Sequence, residues 1–128
     1  MSSARRVILV VEDDPYIRQE IADLLGEYGF QVLLAANGAE ALALLRGTRP
    51  CLVVLDLMMP VMDGWTFRAE QLKDPDVAEV PVLILSGGGN VARAAEDLGA
   101  VSYLNKPFTA ELLLEAVRAH CGATAAAF

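Results

Sequence analysis

Apolar positions along this chain follow two alternating patterns. Short continuous runs, Val7-Ile8-Leu9-Val10-Val11 and Cys51-Leu52-Val53-Val54-Leu55 foremost, alternate with longer stretches in which apolar residues recur every third or fourth position. A continuous run of Val, Leu and Ile predicts a strand buried on both faces of a parallel sheet, and the helical recurrence predicts amphipathic helices. The predicted strands cover 7–11, 31–35, 51–56, 80–85 and 101–104. The first helix opens at Pro15 with Asp14 as N-cap, carries Ile17, Ile21, Leu24, Leu25 and Tyr28 on one stripe, and stops at Gly29. Asn37-Gly38 opens a second, with Ala41, Leu42 and Leu45 inward, which ends near Gly47 ahead of Pro50. A loop containing Pro60 and the turn signature Asp63-Gly64 precedes a third helix over 65–73, closed by Asp74-Pro75. Ser86-Gly87-Gly88-Gly89-Asn90 cannot be regular structure, and a short alanine-rich helix follows over 91–98, closed by Gly99. Asn105-Lys106-Pro107 is a loop, and Thr109 caps a last helix reaching about His120.

Five strand–helix units in 128 residues leave few architectures open. Right-handed crossovers with helices on both faces give a doubly wound α/β sandwich, whereas an eight-stranded barrel needs roughly twice the length. The expected fold is therefore a five-stranded parallel sheet in the flavodoxin-like order 2-1-3-4-5, whose switch point lies beside the ends of strands 1 and 3. A single domain over 1–128 is expected, its core at about 6–120 and a C-terminal tail at 122–128.

Charge narrows the partners. Ten Lys and Arg against seventeen Asp and Glu give a net −7, with no basic run beyond Arg5-Arg6. Nucleic-acid binding relies on clustered cations, so direct contact with DNA or RNA is not expected, nor is attachment to anionic membranes. The apolar runs are too short to span a bilayer, and the N-terminus lacks a signal-peptide core. Cys51 and Cys121 show neither metal-ligand spacing nor a framework pattern, so both read as reduced thiols of a cytoplasmic protein.

The chemistry gathers at predicted strand ends. Glu12-Asp13-Asp14 ends strand 1, Asp56 ends strand 3, Ser86 follows strand 4 and Lys106 follows strand 5. Carboxylates brought together repel unless a cation lies between them. All-oxygen donors select a hard ion such as Mg²⁺, which keeps several waters. Lys106 adds a fixed positive charge and Ser86 a hydroxyl donor. Nucleophile, metal, cation and donor are the parts phosphoryl transfer requires, and a carboxylate is a competent covalent acceptor.

Four segments then resemble the receiver domains of bacterial two-component response regulators: Val10-Val11-Glu12-Asp13-Asp14-Pro15, Leu55-Asp56-Leu57-Met58-Met59-Pro60 with Met62-Asp63-Gly64, Leu85-Ser86-Gly87, and Tyr103-Leu104-Asn105-Lys106-Pro107-Phe108. The resemblance runs from about Arg6 to Arg118. It implies Asp56 as phosphoacceptor, Asp13 as a direct Mg²⁺ ligand, Glu12 as a second acid acting largely through water, and the Met58 carbonyl as a backbone ligand. It also implies Ser86 and Lys106 as phosphate-binding groups, Ser86 and Tyr103 as a switch pair, and a cis Lys106-Pro107 bond. The partners implied are a sensor histidine kinase or histidine phosphotransfer protein and an unidentified downstream protein.

The chain departs from the family in places. Ser86 stands where Thr is commoner, and the glycine run after it implies a clipped or mobile fourth helix. Val101-Ser102 replaces the acidic pair that winged-helix transcription factors of this family carry before the Tyr.

Other readings are weaker. Asp13 and Asp14 also suit helix capping. A haloacid-dehalogenase-like phosphatase wants a second Asp where Met58 stands. A nucleotide-binding glycine loop would follow strand 1, where this chain is acidic. His120 reads as a favourable charge at a helix C-terminus rather than a phosphodonor. Trp65 reads as packing at the start of its helix, close enough to report on Asp56. Leu113, Ala116 and Val117 form the core stripe of the last helix, and Leu112 and Leu114 lie off it, either as a docking face or packed on a neighbour. The expected function is a phosphorylation-dependent signalling switch rather than a turnover enzyme, with self-phosphorylation from small donors and self-dephosphorylation. The alternative is a phosphorylation-independent interaction module of the same fold.

Overall fold

Five strands and five helices alternate in the computed structural model, which describes residues 6–59 and 61–121. Their order is β1 (Val7–Val11), α1 (Pro15–Glu27), β2 (Gln31–Ala35), α2 (Gly38–Thr48), β3 (Leu52–Asp56), α3 (Gly64–Leu72), β4 (Val82–Ser86), α4 (Val91–Leu98), β5 (Ser102–Asn105) and α5 (Ala110–Cys121). All pairings are parallel and the strands lie in the order β2-β1-β3-β4-β5, the flavodoxin-like order expected. Pro60 and the tail at 122–128 lie outside the described residues.

Alternation along each strand sorts the apolar runs onto two faces. Leu9, Val11, Val53, Leu55, Val82 and Ile84 pack with α2, α3 and α4 through Leu45, Phe67 and Val91. Ile8, Val10, Leu52, Val54, Leu83 and Leu85 pack with α1 and α5 through Leu25, Leu113 and Val117. Central β3 is buried along its whole length, so its last residue, Asp56, surfaces only at the carboxyl edge of the sheet.

Local chemistry sets the helix ends. The Asp14 carboxylate accepts from the Tyr16 and Ile17 amides, the Asn37 side chain from Glu40, Asp63 from Thr66, and the Thr109 hydroxyl from Leu112. α4 differs: Asn90 adopts left-handed backbone (φ 57°) and makes no side-chain cap, while Gly99 (φ 68°) closes the other end.

Several boundaries move. β4 begins at Val82 rather than 80, because Pro81 has no N–H to offer a ladder, and it runs on through Ser86. β5 begins at Ser102 and α5 continues to Cys121. The Lys106-Pro107 bond is cis, as the resemblance implied.

Two larger corrections concern α5. Cys51 and Cys121 are not free thiols but a disulfide, with Cα atoms 5.6 Å apart. The last turn of α5 lies over the start of β3, a proximity that a separation of 70 residues conceals in the sequence. Leu114, 7% exposed, packs in the α1/α5 core, whereas Leu112 is 49% exposed. The docking face suggested for both therefore loses Leu114.

Candidate functional site

Strands β1 and β3 pair in register up to Val11 and Leu55, so the next residue of each brings a carboxylate to the same edge. Glu12, Asp13 and Asp56 each present an oxygen within 4.8 Å of the others. Glu12 and Asp56 are buried and Asp13 is exposed at the mouth. Lys106, delivered from beyond β5, places Nζ 2.6 Å from Glu12 Oε1 and 3.3 Å from Asp56 Oδ2. An open cleft bounded by Asp13, Met58, Gly87, Gly88 and Lys106 exposes this group to solvent.

Backbone contacts hold each member. Lys106 N–H donates to the Ser86 carbonyl at 2.9 Å, tying the β5 exit to the end of β4. Met58 N–H donates to Asp56 Oδ1 at 3.2 Å, and Asp14 N–H to Glu12 Oε2 at 3.2 Å. Arg18 reaches back from α1 to the Glu12 carbonyl at 2.8 Å, bracing the acidic turn. The Gly88 amide donates to Ser86 Oγ at 3.1 Å.

The electrostatics favour an added cation. Burial, then the charge of Glu12 and its hydrogen bond, push Asp56 from an ordinary 3.8 up to about 7, against opposing pulls from Lys106 and the Met58 amide. Burial alone would lower Lys106, yet its pairing with Glu12 and Asp56 carries it upward. Glu12 Oε1, although close to the ammonium, takes no hydrogen bond of good geometry from any described residue. One lysine thus serves two buried acids with a third beside them. An all-oxygen cluster short of positive charge fits a hard divalent ion.

A profile of the response regulator receiver domain matches residues 8–118. The chain belongs to that receiver-domain family. Response regulator MprA of Mycobacterium sp. (strain KMS) is 41% identical over 114 residues, covering 88% of this chain and 49% of that protein. The DNA-binding dual master transcriptional regulator RpaA of Synechocystis sp. is 38% identical over 114 residues, covering 88% of this chain and 47% of its own length. The chain therefore spans about half the length of these curated relatives. Among solved structures, Vibrio cholerae chemotaxis protein CheY4 superposes with TM-score 0.84 at 31% identity, covering 91% of this chain and 99% of its own. The receiver domain of sensor histidine kinase PA1611 from Pseudomonas aeruginosa superposes with TM-score 0.85 at 27% identity, covering 94% and 100%. That structure has a magnesium ion coordinated in its active-site cleft.

The receiver fold gathers most residues singled out in the sequence, but not all. Glu12, Asp13, Asp56 and Lys106 converge, and buried Ser86 joins them through its carbonyl to Lys106. Met58 touches Asp56 through its amide, a contact invisible to a reading that considered its carbonyl. Tyr103 sits apart on β5, 41% exposed. Trp65 lines a neighbouring recess with Leu57, Met58, Met59 and Asp63. Arg18 had no sequence signal, since a basic residue on a first helix is ordinary. No described helix is long and apolar enough to cross a membrane.

Proposed function

We propose that the chain is a phosphorylation-dependent signalling switch that takes a phosphoryl group on Asp56 from the histidine of a sensor kinase or histidine phosphotransfer protein. The observation that carries this reading is a buried carboxylate at the end of the central strand, flanked by two acids and a lysine. Mg²⁺ would be held by Asp13 and Asp56, with Glu12 acting through water and the Met58 carbonyl as backbone ligand. When bound it supplies positive charge to the phosphoryl oxygens and to the crowded carboxylates.

The chain's own groups divide the remaining work. An Asp56 oxygen attacks phosphorus as the P–N bond of phosphohistidine breaks, and the imidazole leaves with the bonding pair. Attack requires Asp56 ionised, and every cation beside it favours that form. The Met58 amide orients the carboxylate through Oδ1. Lys106, already within ion-pair distance, turns from Glu12 and Asp56 toward a phosphoryl oxygen. The Ser86 hydroxyl leaves the role of acceptor from Gly88 and donates to the phosphoryl group, vacating space for the Tyr103 ring. No turnover on a diffusible substrate is proposed, only self-phosphorylation from small donors and self-dephosphorylation. The output is a changed binding surface read by a downstream protein.

Incubation with Mg²⁺ and acetyl phosphate, followed by intact mass, tests the reading. One added phosphoryl group is expected on the parent and none on Asp56→Asn. Labelling that persists in the variant would move the acceptor elsewhere. A parent that no phosphodonor labels would instead be a phosphorylation-independent module.

A further inference from the structure

Five polar side chains are buried among the described residues: Glu12, Asp56, Ser86, Arg68 and Gln71. The first three belong to the site. Arg68 and Gln71 lie on α3, away from it, and form a network of their own. Arg68 Nε donates to the Leu98 carbonyl at 2.9 Å and Nη2 to the Gly99 carbonyl at 3.2 Å. Its Nη1 donates to Gln71 Oε1 at 2.7 Å, and Gln71 Nε2 in turn donates to the Val77 and Val80 carbonyls at 3.0 and 2.9 Å. No described carboxylate lies within ion-pair distance of Arg68.

A buried guanidinium without a counter-ion is costly, and here it is set against backbone carbonyls at the negative end of α4. Leu98 and Gly99 provide the last of those carbonyls. The planar fork matches two adjacent acceptors and a third to the side, which an ammonium could not do.

α4 itself explains the need. Eight residues are too few for a stable isolated helix, and its two ends are held very differently. At the N-terminus, exposed Gly87, Gly88 and Gly89 precede an Asn90 that makes no side-chain cap. At the C-terminus, Gly99 N–H donates to the Glu96 carbonyl, Ala100 N–H to Ala95, and Arg68 takes the carbonyls beyond. β5 begins three residues past Gly99 and leads through Tyr103 toward Lys106. One end is glycine-rich and uncapped, the other is held by the Arg68 fork.

We propose that Arg68 is a positioning residue of the switch, fixing the α4–β5 corner to α3 so that rearrangement at Ser86 stays within 87–95 and reaches Tyr103 on a strand whose entry does not move. The inference rests on the phosphorylation reading above. Without the clamp, the same displacement is absorbed by the whole of α4, and the Tyr103 ring loses its fixed base.

Amide exchange and fluorine NMR on fluorotyrosine-labelled protein test it, with and without Mg²⁺ and beryllofluoride, the Tyr103 signal being assigned through Tyr103→Phe. In the parent, the adduct slows exchange at 87–95 by about tenfold, leaves 96–100 within about twofold and shifts Tyr103. In Arg68→Met, exchange at 96–100 rises about tenfold before any adduct forms, and bound beryllofluoride no longer shifts Tyr103. Exchange at 96–100 equal to the parent's would overturn the clamp. Faster exchange there with an undiminished Tyr103 shift would reduce Arg68 to a merely structural role. If Arg68→Met does not fold, Arg68→Lys, which keeps the charge but loses the fork, shows the same two changes at smaller size, and parent-like behaviour overturns the proposal. A parent without a bound-fluoride signal sinks the phosphorylation reading instead, while exchange at 96–100 in adduct-free protein still decides the clamp.

Discussion

The two edges of the sheet are built on opposite plans. At the carboxyl edge, carboxylates crowd round one lysine, a glycine loop follows β4, and Asp56 is held in an environment that resists its ionisation. At the amino edge, the start of β3 is joined covalently to the last turn of α5, with Arg118 lying over the Tyr28 ring beside it at 5.0 Å. The same strand, β3, carries both Cys51 just before its start and Asp56 at its end. A covalent fastening and a crowded acidic cluster are thus set at opposite ends of one strand. The edge that gathers the acids carries unfavourable electrostatics, and the opposite edge carries the fastening.

The largest expected effect tests the acidic edge. Asp56→Asn loses phosphoryl incorporation altogether, yet makes the metal-free protein more stable. The sign follows from the raised pKa. Neutral Asp56 favours the fold, a contribution complete below about pH 4 that fades as pH rises through about 7. The stability gap between Asn variant and parent should therefore open across that interval and reach about 4 kcal/mol near pH 8. Urea midpoints against pH measure it, and saturating Mg²⁺ should narrow the gap. A gap independent of pH would remove the argument from burial and Glu12.

Next comes the fastened edge. Closing a loop of 70 residues is expected to contribute up to about 4 kcal/mol, so Cys121→Ala or reduction should lower the denaturation midpoint by a corresponding amount. Labelling of Asp56 by acetyl phosphate should be unaffected wherever the variant remains folded. A folded Cys121→Ala that phosphorylates at a markedly different rate would show that the edges are coupled.

The smallest effects separate two neighbours on α5. Leu114→Gln buries an amide in the α1/α5 core and should cost about 2–3 kcal/mol. Leu112→Gln, on the exposed side, should change stability by less than about 0.5 kcal/mol. Equal losses in thermal melts would mean that Leu112 is covered in solution.

This contrast also marks what was legible in the sequence. Every strand and helix announced itself, because buried parallel strands and capped amphipathic helices leave periodic signatures. The carboxyl edge was legible too: Glu12, Asp13, Asp56, Ser86 and Lys106 each sit at a strand end, and strand order alone brings strand ends together. The amino edge was not. Cys51 and Cys121 meet because α5 packs over the sheet with its last turn at the start of β3, which no local pattern encodes, and Leu114 looked surplus only because one helical stripe was counted. Arg68 and Gln71 carry no local signal of burial, being polar residues within a short helix. Arg68 is placed by where α4 ends and Gln71 by the carbonyls of Val77 and Val80, facts about other segments.

Gly38 adds a constraint of a different kind. A Cβ built on it would lie 2.7 Å from the Met62 side chain and 2.9 Å from the Met62 carbonyl, which accepts the Gly38 N–H at 3.2 Å. The first turn of a capped helix is usually among the most permissive positions in a sequence. Here it is closed to every residue with a side chain, for want of room rather than for any unusual backbone angle. Even alanine at 38 would press on the segment linking Asp56 to α3. Gly38→Ala should therefore fold less stably than the parent although alanine is the better helix former, so intrinsic helix preference is overruled here by a neighbour in another segment.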